Sequence, residues 1–517
     1  MVDLTGNIPV LTTFLVYLVA MIGIGAYVYQ RTNSLEDFAL GGRRLSPTTA
    51  ALSAQASDMS GWLLLGLPGA VYAAGIGATW IAIGLAVGTY LNWLIVAPRL
   101  RAYTSRANNS ISLSAYLEER FEDGSRLLRV VSAVVIVVFF TIYVSSGLVA
   151  GGVLFESTFG VPYATSVTIA VIVIVSYAFL GGFLAVSLTD AVQGAMMFLA
   201  LLLVPIVAIL ALGGWGVFTG DVQAASPGLW SLGSEAVFDA EAGTWTPGAP
   251  IGIVAVLSLL AWGLGYFGQP HILARFMGIR SVGAVKAARR IGTGWVVFTL
   301  AGASLVGLAG IAFIQPPLEN PETVFLVLVQ ELLNPWVGGV LLAAVLAAIM
   351  STADSQLIVS STALTEDFYR AFLKKEAGEK ELVWVGRTTV VIVALIAYIV
   401  ALPGETPILD IVAFAWAGFG AAFGPVIILS LFWSRMTAAG AIAGVVAGAL
   451  TVLIWEQAPA LADTGWYSMI PGWAAALISA FVFGKFVGTP PERSWSGSYA
   501  EEVDETEAAA RAAEPAE

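Results

Sequence analysis

Residues 56–69 read ASDMSGWLLLGLPG, an apolar stretch interrupted by an aspartate, by serines and by glycines. It lies inside a longer run, 46–73, and counted from Ser46 the Asp58 carboxylate falls near the middle. Ser57, Ser60 and Gly61 are poor residues for a helix interior, because hydroxyls compete for backbone hydrogen bonds and glycine loosens the chain. The stretch therefore predicts a helix that breaks around Asp58. A break releases carbonyl oxygens that hold a cation and exposes a helix N-terminus that holds a carboxylate. The alternative is a kinked helix whose second half Asp58 caps.

Comparable runs recur along the whole chain. At 58% hydrophobic and 11% charged over 517 residues, the sequence is too apolar for a soluble protein of this length. Continuous apolar runs fall near 9–29, 46–73, 76–98, 127–154, 162–183, 188–214, 250–269, 291–315, 336–363, 382–402, 407–433, 438–457 and 467–487. Each is long enough to cross a hydrocarbon core of about 30 Å as a helix. They lack the ten-residue alternation of a β-barrel. The predicted fold is an all-α polytopic membrane protein of about 13 spans, numbered here in chain order. Residues 1–490 are read as one transmembrane domain, and 491–517 as an acidic, alanine-rich tail, disordered and cytoplasmic.

The start, MVDLTGNIPV, lacks the basic segment of a cleavable signal, so the first run is read as a retained span. The chain has no cysteine, which excludes thiolate nucleophiles and disulfides, and a single histidine, which excludes an all-histidine metal site. No GxxxxGK[ST] motif occurs, so the chain carries no nucleotide site of that kind. No catalytic constellation is visible among the intramembrane polar residues, and the reading is not an enzyme. No cofactor, nucleic acid or obligate protein partner is implied.

Every lysine and arginine follows an odd-numbered span, lies at its end, or sits just before or in the first turns of the next span. Loops near 215–249 and 316–335 carry only acidic charge. By the positive-inside rule the N-terminus is outside and the C-terminus cytoplasmic, in a multi-pass plasma-membrane protein. The net charge of −12 also suits a cell with a salty cytoplasm, which predicts loss of fold at low salt.

Charges near a bilayer centre cost at least about 2.5–3.5 kcal/mol, so Asp58, Asp190 and Asp354 are functional candidates. Asp190, beside Ser187 and Thr189, is alternatively a start-of-helix residue, and Asp410 is read as favouring the N-terminus of span eleven. Span seven repeats the pattern of span two: AWGLGYFGQP spreads Gly263, Gly265, Gly268 and Pro270 through an apolar run. Two interrupted helices of opposite orientation, each opening a set of five, point to an inverted five-plus-five repeat with core repeats near 46–214 and 250–433 and broken helices 2 and 7. In span nine, Ala343, Ala344, Ala347, Ala348 and Ser351 make a small-residue face, from which Ser351 and Thr352 offer hydroxyl oxygens. Broken-helix carbonyls with those hydroxyls would suit a hard cation such as sodium. Packing is the other reading of that face.

The blocks ALSAQASDMSGWLLLGLPGAVY, RFEDGSRLLRVVSA, VVFFTIY, GGFLAVSLTD, WGLGYFGQPHILARFM, TEDFYRAFL, KELVWVGR and AWAGFGAAFGP closely resemble the sodium:solute symporter family, from about Phe38 to Thr437. The outer loop 215–249, the N-terminus and the tail match poorly. The resemblance implies thirteen helices, the inverted repeat and sodium-coupled uptake of L-proline by alternating access. On matching positions it implies that Ala56, Met59 and Ala348 give carbonyls, and Ser351 and Thr352 hydroxyls, to the coupling sodium. Asp58 is implied for sodium coupling, and Ser60 for both ligands. Tyr143, Trp262, Tyr266 and Pro270 are implied for the proline pocket. Aromatic faces suit a pyrrolidine ring and attract its ammonium. Asp354 stands where relatives also carry neutral residues. Some members build a second cation site from the aspartate matching Asp190, for which Asp190, Asp354 and Ser355 are the candidates here. His271 is read as structural. Another small amino acid or carboxylate is the rival solute, and a transporter-like sensor the rival class.

Overall fold

Met59, at φ −86° and ψ 79°, ends the helix Pro47–Asp58. That helix starts on Ser46, whose hydroxyl accepts the Thr49 N–H at 3.1 Å, with Pro47 in the first turn. At its far end the Met59 N–H still reaches Gln55 O, but the Ser60 N–H turns back to Asp58 O at 3.1 Å. Ala56 O therefore lacks its helical amide partner, as the serine, aspartate and glycine content predicts. The chain resumes as Trp62–Ala74. Span seven breaks in the same way: Gln269 leaves the helical region at φ −81°, ψ 107°, between Ile253–Gly268 and Pro270–Gly278, which are bent by 46°.

The computed structural model describes residues 7–29, 35–180 and 182–492. The expected tail lies outside the described residues, except for its first two positions. Among the described residues ten helices are long and apolar enough to cross a membrane, eleven with the bent pair. The shortfall from thirteen lies in two runs. Span two is divided into halves too short to count, and Tyr163–Phe179 falls below a full span.

Several helices outrun their apolar runs. Span three reaches Arg106, span nine reaches Leu373, span six begins at Phe183, and span seven continues to Gly278. A hydropathy boundary marks where charge begins, whereas a helix continues while one face stays buried. The membrane part is helical, and the segment 215–249 adds a helix, Trp215–Ala225, and a hairpin, Ser234–Asp239 with Thr244–Pro250. Trp245 Nε1 of this hairpin donates to Tyr72 O at 2.7 Å, so the hairpin sits on the end of span two. Glu322, in the acidic loop before span nine, accepts the Ile408 and Leu409 N–H groups at 3.1 and 3.2 Å and so holds the start of span eleven. Burial pushes its carboxyl above the ordinary range, against the pull of those two N–H groups.

The helix packing has an internal symmetry. The first half of span two packs on span six, as the unwound part of span seven packs on span eleven. Span eight lies against both halves of span two, as span three lies against span seven. Spans four and nine meet, four also touching eleven and nine touching six. Exchanging spans two to six for spans seven to eleven leaves this pattern unchanged, the relation that a pair of repeats requires.

The interrupted helices approach their neighbours backbone to backbone. A Cβ on Gly88 of span three would collide with the Gly263 backbone, and one on Gly307 of span eight with Pro68 O of span two. Gly88→Ala is expected to destabilise by about 1–3 kcal/mol. The check is thermal melting of the detergent-solubilised protein against Gly294→Ala, whose added carbon meets no atom within 4 Å. Equal melting of the two variants would contradict the close approach.

Candidate functional site

The Ala56 carbonyl freed by the break is met by two hydroxyls from span nine. Ser351 Oγ donates to it at 2.7 Å and Thr352 Oγ1 at 3.3 Å, and Ser351 Oγ also lies 3.1 Å from Ala348 O. Four of the five oxygens expected to hold sodium are thus gathered, all on buried residues. The fifth residue, Met59, is buried at the same turn, with its carbonyl outside this hydrogen-bonded group. Hydroxyls turn from donor to acceptor when a cation arrives, so carbonyls and hydroxyls together make a hard-oxygen ligand set. Gly61 lets the break fit between spans four and nine, since a Cβ there would stand 2.6 Å from Ala150 Cβ and 3.3 Å from Ile349 Cγ1.

Asp58 joins the two broken helices. Its Oδ2 accepts the Tyr266 hydroxyl of span seven at 2.6 Å, while Oδ1 is buried with no hydrogen-bond partner among the described residues. Its backbone oxygen accepts from Tyr143 OH and Trp62 Nε1, each at 3.3 Å. The carboxylate therefore stands between the oxygens gathered at Ala56 and the aromatic residues, and it does not cap the second half of the helix.

Those aromatics form one connected wall. Trp62 and Trp262 rings lie 6.3 Å apart, Trp262 stacks on Tyr467 at 5.6 Å and 20°, and the Tyr266 ring stands edge-on to Trp416 at 5.1 Å. Trp416 Nε1 donates to Trp262 O at 2.8 Å, and Asn92 Nδ2 to Tyr266 O at 2.9 Å, which fixes the unwound turn of span seven. Ser60 Oγ accepts the Trp62 N–H at 3.4 Å. Pro270 is the buried first residue of the second half of span seven. Ser60, Tyr143, Trp262, Tyr266 and Pro270 thus all border the two breaks. Trp62, Asn92, Trp416 and Tyr467 were not foreseen there. Trp62 and Trp416 lie in the matched blocks, whereas Tyr467, the first residue of the apolar run of span thirteen, carries no such signal.

A second polar cluster takes in Ser53 and Ser355, on the same two helices as Ala56 and Ser351. Asp190 Oδ2 accepts from Ser53 Oγ at 2.6 Å and from Arg275 Nη2 at 3.1 Å, both side chains of the ion pair being buried. Arg275 Nη2 also donates to Ser355 Oγ at 2.5 Å, Nε to Ser53 Oγ at 3.0 Å, and Nη1 to His271 O at 3.0 Å. Asp190 lies well inside span six, which corrects the alternative reading of it as a start-of-helix residue. The positive group that touches both Asp190 and Ser355 is Arg275, a residue the sequence reading counted among loop charges. The signal that would have placed it is the buried amphipathic run of Pro270–Gly278 beyond the apolar stretch. Asp354 is buried on the same helix as Ser355, with neither carboxylate oxygen hydrogen-bonded among the described residues.

Comparison with known proteins gives the family. The sequence model of the sodium:solute symporter family matches residues 38–448. The chain is 49% identical over 500 residues to a sodium/proline symporter of Escherichia coli (strain K12), covering 95% of this chain and 96% of that one. It is 50% identical over 475 residues to the high-affinity proline transporter PutP of Bacillus subtilis (strain 168), covering 91% and 97%. Among solved structures, a sodium-coupled sialic acid symporter in an outward-open state superposes with a TM-score of 0.76 at 17% identity, over 94% of this chain and 99% of that one, a likeness of fold.

Proposed function

Because the chain belongs to the sodium:solute symporter family, we propose that it imports L-proline with sodium across the plasma membrane by alternating access. The observation that carries this reading is the 2.6 Å hydrogen bond from Tyr266 to Asp58, through which the cation break and the aromatic wall share one carboxylate. Sodium sits on the oxygens of Ala56, Met59, Ala348, Ser351 and Thr352. Proline lies against Ser60, Tyr143, Trp262, Tyr266 and Pro270, its ring on the aromatic faces. Sodium binds first and orders the break, which sets Asp58 and hence Tyr266 for proline: positive coupling between two sites.

The chain crosses the membrane thirteen times within residues 1–490, with the N-terminus outside, the C-terminus cytoplasmic and the tail 491–517 outside the transport domain. The repeats 46–214 and 250–433 rock against each other to expose the sites to either side in turn. One sodium ion entering across about 100 mV releases roughly 2.3 kcal/mol, and a tenfold gradient adds about 1.4. Together they support accumulation of a neutral zwitterion of roughly several hundredfold.

Proline counterflow in proteoliposomes tests the reading. Labelled proline is expected to exchange in sodium and not in potassium, with proline outcompeting other amino acids. Sodium-independent exchange, or a better competitor, would refute it. Ser351→Ala removes one ligand oxygen and is expected to raise the sodium half-saturation roughly tenfold, in keeping with about 1–1.5 kcal/mol for one such contact. An unchanged sodium dependence would exclude Ser351 from the cation site.

A further inference from the structure

We propose that His271, together with the uncapped first turn of Pro270–Gly278, forms the carboxylate-binding end of the solute pocket. This rests on the reading of the solute as an amino acid. A zwitterion brings two charges, and aromatic faces serve only its ammonium and ring. Its carboxylate needs hydrogen-bond donors.

Five side-chain donors of the aromatic wall, those of Tyr266, Tyr143, Trp62, Trp416 and Tyr467, are committed elsewhere, which leaves Trp262 Nε1 as the wall's own donor without a hydrogen-bond partner among the described residues. Tyr266 OH goes to Asp58 Oδ2, Tyr143 OH and Trp62 Nε1 to Asp58 O, and Trp416 Nε1 to Trp262 O. The N-terminal turn of Trp62–Ala74 is occupied as well: the Trp62 N–H goes to Ser60 Oγ and the Leu63 N–H to Ser60 O.

The second half of span seven differs. It begins with Pro270, which has no N–H, and no side chain caps it. The N–H groups of His271 and Ile272 therefore stand at the positive end of a nine-residue helix.

The His271 side chain is the independent observation. It is fully buried, and neither ring nitrogen has a hydrogen-bond partner among the described residues. A neutral imidazole always carries one N–H donor, and buried polar groups are almost always bonded. Its ring is held edge-on between Phe140 at 5.4 Å and Tyr143 at 6.2 Å, the latter a residue of the proposed pocket. Arg275, donating to His271 O, anchors the turn to spans two, six and nine. A fixed donor beside an uncapped helix end is what an anionic group recognises.

Competition binding on the purified full-length protein in saturating sodium tests this, with labelled L-proline displaced by L-proline, L-prolinamide or pyrrolidine. His271→Phe keeps the ring and removes the donor. It is expected to weaken proline roughly 10- to 100-fold, the range for a hydrogen bond to a charged group, while barely changing prolinamide and pyrrolidine. His271→Gln, which retains a donor, is expected to recover part of the proline preference, and serves alone if the phenylalanine variant does not fold. The sodium half-saturation should stay near that of the wild type. A preference for proline over prolinamide that survives in the variants, or an equal loss for all three ligands, would overturn the assignment and leave the transport reading standing. Wild-type protein that binds no proline would overturn both.

Discussion

Asp58→Asn is expected to raise the sodium half-saturation of proline uptake roughly 100-fold and to abolish most uptake at ordinary sodium concentrations. The substitution keeps size and removes charge. A unit negative charge about 6 Å from a cation contributes roughly 3 kcal/mol at an effective dielectric of about 20, a factor of roughly 100. The effect should extend to proline, because Asp58 Oδ2 also holds the Tyr266 hydroxyl at 2.6 Å. Tyr266→Phe attacks the same contact from the solute side and leaves the buried carboxylate without its donor, a loss of about 1–3 kcal/mol. Its larger effect should fall on proline affinity. Since the two residues share one interaction, the double variant is expected to lose less than the sum of the single losses. Initial rates of labelled proline uptake over a sodium series in proteoliposomes decide the matter. A sodium half-saturation for Asp58→Asn within threefold of the wild type would rule out Asp58 as the coupling carboxylate.

Arg275→Met is the second large effect, and it concerns folding. Arg275 and Asp190 form a buried ion pair, and removing one partner strands the other charge, typically at a cost of about 3–5 kcal/mol. The guanidinium also donates to Ser53, Ser355 and the His271 carbonyl, so spans two, six, seven and nine lose a common tie. The variant is expected to yield little folded protein, or protein that melts well below the wild type in detergent. Adding Asp190→Asn to the same chain should restore more than half of the loss, because no uncompensated charge is left. Failure of that rescue would mean that the hydrogen bonds of Arg275, rather than its charge, carry its role. Wild-type melting of Arg275→Met alone would refute the ion pair.

Much of this site can be read from residue order. The break at Asp58 follows from serines and a glycine competing with the helix ladder, and it occurs there. Ser351 and Thr352 follow from a small-residue face that carries hydroxyls, and both reach Ala56 O. The ends of helices are less legible. Span six starts at Phe183 and span seven runs to Gly278, so Asp190 sits inside a helix and Arg275 inside the protein. Hydropathy averages over all faces of a helix and treats a paired buried charge like a loop charge. The hairpin of 215–249 escaped for another reason: its anchoring bond runs from Trp245 to Tyr72, far apart in sequence.

The sequence alone determines a helical membrane protein with two interrupted helices and a family resemblance from which its proposed sodium residues are taken, because apolar run length, helix-breaking residues and motif order are local properties. Only the tertiary structure decides what Asp58 touches, that Arg275 is the positive group on Asp190 and Ser355, and that neither ring nitrogen of His271 has a hydrogen-bond partner among the described residues. Those are outcomes of which helix faces which. Such pairings depend on packing glycines and buried partners dozens to hundreds of residues apart, and no local pattern encodes them.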